Sequence, residues 1–202
     1  MFPRSKLEVT PGFVLLAAWF ALVNGGGVLA LVLGASAVHE LGHCLILLAL
    51  GARIQAFRLT ALGAELITDS GRLSYGGELL AVLAGPGANL GAALVSSLIL
   101  PVRCPEFTGA NLVLACFNLL PIRPLDGGRA VKLAVSWLAG PGAGDAAVRI
   151  LSGLTSSALA VLLAFVVYRT HGSLWLLPTL FGAAGMALSE LRPQRRHKAY
   201  KS

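Results

Sequence analysis

His39-Glu40-Leu41-Gly42-His43 lies in the middle of an apolar run, Val28 to Leu50, long enough to cross a bilayer. On a helix, side chains at i and i+4 project from one face, so both imidazoles can reach one metal ion while Glu40 stands beside it. That pattern supplies two ligands and a base, the core of a zinc hydrolase. A charged side chain at bilayer depth costs roughly 2.5 kcal/mol or more, so ionisable groups grouped this closely mark a site. The alternative is histidines that merely hydrogen-bond between helices, and the buried Asn/Pro/Asp-Gly break elsewhere in the chain weighs against it.

A hydrolytic zinc ion needs a third protein ligand and one open position, and an Asp or Glu oxygen can serve. The chain has 9 acidic residues. Glu8, Glu65, Asp69, Glu78, Glu106, Asp145 and Glu190 fall in tails, loops or span ends, and Glu40 is needed as base. Asp126 remains. It lies in Asn118-Leu-Leu-Pro121-Ile-Arg123-Pro124-Leu-Asp126-Gly127-Gly128, within a long apolar segment whose prolines and glycines must interrupt a helix. Broken helix at membrane depth is tolerated only where protein covers it or where it lines a watery cavity. Asn118 is placed either to give a hydrogen bond to substrate or to cap the broken helix. Arg123 reads as a headgroup or cytoplasmic anchor.

The elements that must hold these groups follow from composition. The chain is 56% hydrophobic and 12% charged, with a mean hydropathy of +0.78, against about 25% charged residues in soluble domains. This is an integral membrane protein, and with 202 residues one membrane-embedded unit is the natural count. Apolar segments at about Gly12–Val23, Val28–Leu50, Leu79–Pro101, Ala110–Ala139, Val148–Tyr168 and Ser173–Leu191 predict an all-α, multi-pass protein of six transmembrane helices, the fourth of them broken. If the N-terminus is cytoplasmic, only Arg103 and Arg169 lie on the far side and every other Lys and Arg on the near side, save Arg123 if it lies within the membrane, so both ends should be cytoplasmic. The +7 net charge is thus a matter of orientation and not of nucleic acid.

Ile54–Ala61 and Ala64–Thr68 are β-prone runs about Gly63, which predict a small hairpin or sheet edge in the loop after the second span. No removable signal peptide is expected at the N-terminus, where the first span would act as its own insertion signal. The basic tail from Arg192 fits a solvated segment near anionic lipid. Cys44, Cys104 and Cys116 are unclustered and take no redox role.

With these motifs in hand, the chain resembles the site-2 protease family of intramembrane metalloproteases. The match rests on His39-Glu40-Leu41-Gly42-His43, on Gly85-Pro86-Gly87-Ala88-Asn89 and on Asn118 to Gly128. Among its branches it is most similar to the sporulation protease, stage IV sporulation protein FB-like, that processes a sigma-factor precursor. The resemblance implies one Zn2+ held by His39, His43 and Asp126, with Glu40 as catalytic base and Asn118 near the scissile peptide. It implies a transmembrane or membrane-associated protein substrate, a membrane regulatory partner and a bacterial cell membrane. No inserted PDZ-sized domain and no CBS domain is expected. Gly85 to Asn89 is read mainly as close packing through small residues. Competing functions are a membrane zinc protease of another family, a silent client-binding homologue and a metal transporter. The Asp-Gly-Gly break disfavours the first and the intact Glu40 the second, while the third would need polar residues on several spans.

Overall fold

The computed structural model describes residues 6–60, 63–69, 73–99, 105–169 and 177–191. Among these, three strands and seven helices follow one another as β1 (Lys6–Val9), α1 (Pro11–Asn24), α2 (Gly26–Ala49), β2 (Arg53–Thr60), β3 (Gly63–Asp69), α3 (Tyr75–Ile99), α4 (Pro105–Asn118), α5 (Asp126–Ala139), α6 (Pro141–Arg169) and α7 (Leu177–Leu191).

Local chemistry sets several of the boundaries. Thr10 accepts a hydrogen bond from the Phe13 amide at 3.4 Å and Pro11 opens α1, a pairing of cap and N-terminal proline that preorganises a helix start. Gly25 (φ 85°) ends α1 and Gly140 (φ 88°) ends α5. Both adopt backbone that a Cβ disfavours, so the chain turns there into the next helix.

What the fold buries is the reverse of a soluble core. Ala35, Ala81, Ala93, Ala115, Asn89, Asn111, Ser152 and Ser156 are inside, whereas Leu22 (85% exposed), Leu98 (73%) and Val161 (71%) face out. Small and polar residues between helices with large aliphatics outward is the pattern expected when the solvent is lipid. α2, α3 and α6 are each long and apolar enough to span a membrane, and α1 is a shorter apolar helix. The chain is a membrane protein.

Two expectations change. The broken span foreseen from Ala110 to Ala139 is two separate helices of 14 residues each, α4 and α5, joined by the loop 119–125. The β-prone runs do form an antiparallel pair, β2 with β3, but Gly63 is the first residue of β3 and pairs with Thr60 instead of making the turn. A third strand was not foreseen: β1 joins β2 in parallel, Leu7 opposite Phe57. β2 is therefore the centre of the sheet, with order β1-β2-β3. Arg58 and Glu8 pair across it at 2.8 Å, an exposed contact of at most about 1 kcal/mol. The expected basic tail from Arg192 and the segment Ser173 to Trp175 lie outside the described residues.

α3 is the hub, packed against α2, α4 and α5. Gly42 lets α2 approach it closely, since a Cβ there would sit 2.7 Å from that of Ala88.

Candidate metal centre

His39, Gly42 and His43 lie on the buried face of α2. Opposite them on α3, Ala81, Gly85 and Asn89 recur at four-residue intervals, which aligns them along one helix face. Each has a distinct task. Asn89 gives its amide to the Ala35 carbonyl at 2.9 Å and to Asn111 Oδ1 at 2.7 Å. Its Oδ1 is left to accept from His39 Nδ1 at 2.7 Å. Ala81 offers a carbonyl, which can only accept, and His43 Nδ1 donates to it at 2.8 Å. Gly85 provides space, because a Cβ at that position would fall on the His43 ring.

The consequence is a defined tautomer. With both Nδ1 atoms carrying the proton, both Nε2 atoms present lone pairs. They stand 3.1 Å apart, and Asp126 Oδ2 lies 3.0 Å from the first and 3.2 Å from the second. Three electron-pair donors converge with no proton of their own between the imidazoles, an arrangement that a cation would satisfy. Ligand atoms about 2.0–2.1 Å from a tetrahedral zinc are about 3.3 Å from one another, so the triangle fits that ion with slight opening. All three residues are buried. The imidazole pair with its outer partners has the shape of a metal site whose ligands are oriented from behind.

Asp126 reaches the histidines because of the loop that precedes it. Leu120, Ile122 and Leu125 amides bond to the Phe117, Leu120 and Ile122 carbonyls at 3.1, 2.7 and 2.8 Å, so the non-helical backbone satisfies itself in successive tight turns. Ile122 is only 1% exposed and anchors it. Gly127 and Gly128 pack beneath those turns, where a Cβ would run into the carbonyls of Leu119, Leu120 and Ile122. Asp126 then opens α5, where the unpaired amides of a helix start favour a carboxylate.

Glu40 follows His39 on α2, is half-buried and lies within electrostatic reach of His39, His43 and Asp126. Asn118, the last residue of α4, gives its amide to the Leu114 carbonyl of its own helix at 3.1 Å. Two supporting groups escaped the sequence: the Asn89 side chain and the Ala81 carbonyl. Within Gly85 to Asn89, Gly85 packs closely against the His43 ring and Asn89 orients His39. The four-residue spacing of Ala81, Gly85 and Asn89 was the available signal.

A direct check follows. Gly85→Ala should displace the His43 ring and weaken zinc affinity by roughly 10- to 100-fold, the usual cost of disturbing a ligand's support. Gly87→Ala, where a Cβ meets nothing within 4 Å, should leave it unchanged. Chelator-competition titration of the two variants reads the difference.

No protein-family model matches this chain. A protein of Synechocystis sp. named "Putative zinc metalloprotease sll0528" is 36% identical over 125 residues, 57% of this chain and 33% of its own length. Stage IV sporulation protein FB of Bacillus subtilis is 28% identical over 138 residues, 65% of this chain and 48% of its own. The chain thus spans between a third and a half of the length of these relatives. In fold it matches the Site-2 Protease from Methanocaldococcus jannaschii with a TM-score of 0.65 and 22% identity, covering 96% of this chain and 94% of the other. In its motifs and relatives the chain is similar to zinc metalloproteases, and its fold is that of the Site-2 Protease from Methanocaldococcus jannaschii.

Proposed function

We propose that this protein is an intramembrane zinc metalloendopeptidase that hydrolyses peptide bonds of transmembrane or membrane-associated proteins. One observation carries the proposal: His39 Nε2, His43 Nε2 and Asp126 Oδ2 converge within 3.0–3.2 Å while Asn89 and Ala81 occupy the opposite ring nitrogens. Zinc, when bound, polarises a carbonyl and makes water acidic near neutral pH. Glu40 takes the proton of the attacking water and delivers it to the departing amine. Asn118 turns its amide from the Leu114 carbonyl to the carbonyl oxygen of the scissile bond as charge develops there. His39 lies about 16 Å from the end of its helix, so water enters through a cavity from the cytoplasmic side.

The placement of Lys and Arg supports a multi-pass arrangement in a bacterial cell membrane with both termini cytoplasmic, α4 and α5 together making one of six crossings. The whole described chain acts as one membrane-embedded unit. Its likeness to a sporulation protein makes a membrane-bound transcription-factor precursor the substrate class to test first, with a membrane partner as regulator. The decisive experiment is cleavage of a single-span peptide by the purified full chain in lipid, with and without zinc. Zinc-dependent products support the reading, and intact peptide at full zinc occupancy refutes it.

A helical peptide bond is shielded by its own hydrogen bonds, so the substrate unwinds before it is cut, and strand addition re-satisfies its backbone. Because β2 is enclosed between β1 and β3, the edge available in the loop after α2 is β3. A proline at Leu59 would break the protein's own sheet, where Leu59 pairs with Val9 and Ala64. Disulfide trapping is the better test. A cysteine at Glu65 should trap single-cysteine substrates with a period of two residues, and a glycine pair near the cut should accelerate cleavage. Trapping without that period would exclude pairing with β3.

A further inference from the structure

Glu190 is an acid that the proposed chemistry does not use, yet it is largely enclosed although it stands next to the last residue of α7. Its side chain is 10% exposed, and its carboxylate lies 3.7 Å from Arg123 Nε. α6 makes room for it at Gly153, where an added Cβ would touch the Glu190 Cβ at 3.7 Å. Arg123 belongs to the loop 119–125 that ends at the ligand Asp126. It is tied twice to α6: its amide donates to Ser152 Oγ at 3.1 Å, and its guanidinium donates to the Asp145 carbonyl at 3.1 Å. The Asp145 carboxylate is engaged elsewhere, with Lys132 at 2.8 Å. The Arg123 guanidinium, its side chain 36% exposed, thus lies between two acids, Asp145 on α6 and the enclosed Glu190, and Glu190 is the one that reaches it from α7.

We infer that the Arg123–Glu190 pair is a clasp through which α7 sets the position of the loop 119–125 and hence of Asp126, making Glu190 a positioning residue for the metal centre. The inference rests on the reading of Asp126 as a ligand. Its physical basis is leverage. Ile122 is buried and Arg123 is bonded twice to α6 and faces Glu190 of α7, so the few bonds between Arg123 and Asp126 leave the carboxylate little freedom. Removing the acid takes away the contact that holds the guanidinium toward α7, leaving it to Asp145 and to the headgroups it can reach, and the loop is loosened with it.

The test uses the full chain in lipid with Glu190→Gln, Arg123→Gln and the exchange Arg123→Glu/Glu190→Arg. Three quantities are read: hydrogen exchange of the loop amides without metal, the zinc dissociation rate, and kcat and KM on a single-span peptide. Each single variant should raise loop exchange and zinc dissociation about tenfold and lower kcat by a similar factor with little change in KM. The exchange variant should recover most of each loss. Wild-type behaviour of Glu190→Gln overturns the clasp, as does a defect confined to Arg123→Gln, which would make that residue an independent anchor or substrate contact. Failure of the exchange variant to recover also overturns it, because the pair would then serve stability alone. If the wild type cleaves nothing, the protease reading fails while hydrogen exchange and zinc dissociation still decide the clasp.

Discussion

Glu40→Gln is expected to reduce peptide hydrolysis by about 100- to 10,000-fold while zinc stays bound at wild-type stoichiometry. The residue stands beside the ligand set on α2, one position after His39, and Asp126 takes the third place in the triangle. Glutamine keeps the shape of the side chain and cannot accept the proton of water, so the loss measures general-base catalysis, whose contribution typically has that size. Metal analysis and turnover on the same preparation settle the assignment. Retained turnover would move the base elsewhere, and lost zinc would make Glu40 a ligand.

Asp126→Ala should have the opposite signature. Disturbing groups behind the ligands commonly costs 10- to 100-fold in metal affinity, so deleting the proposed third ligand should cost more than about 100-fold, with cleavage lost as a result. The two histidines would remain oriented by Asn89 and Ala81, because neither hydrogen bond involves the carboxylate. Zinc at wild-type stoichiometry and affinity in this variant would show that the third ligand lies elsewhere. The pair of substitutions thus separates chemistry from metal binding within one site.

The asymmetry between these residues also explains what could be read without coordinates. His39, Glu40 and His43 belong to one helix, where side-chain direction follows from spacing alone, so their common face was legible at once. Asp126 was legible for another reason: few acids lie in apolar segments, and the prolines and glycines around it announce a break. The pairing of β2 with β3 followed from two β-prone runs close together in sequence. β1 did not, since its parallel pairing with β2 joins segments separated by α1 and α2, and no local pattern encodes such a partner.

By itself, then, the sequence determined the membrane setting, the helical face that carries both imidazoles, the acid able to join them and the family resemblance. The tertiary structure decided which atoms of those side chains are available. Asn89 and Ala81 select the His39 and His43 tautomers only because α3 packs against α2 in one register, and Arg123 meets Asp145, Ser152 and Glu190 only because α6 and α7 bring them around it. Those outcomes depend on contacts between helices, where close approach through small residues and the cost of an unpaired polar group in lipid choose the register. Spacing along one helix carries no record of that choice.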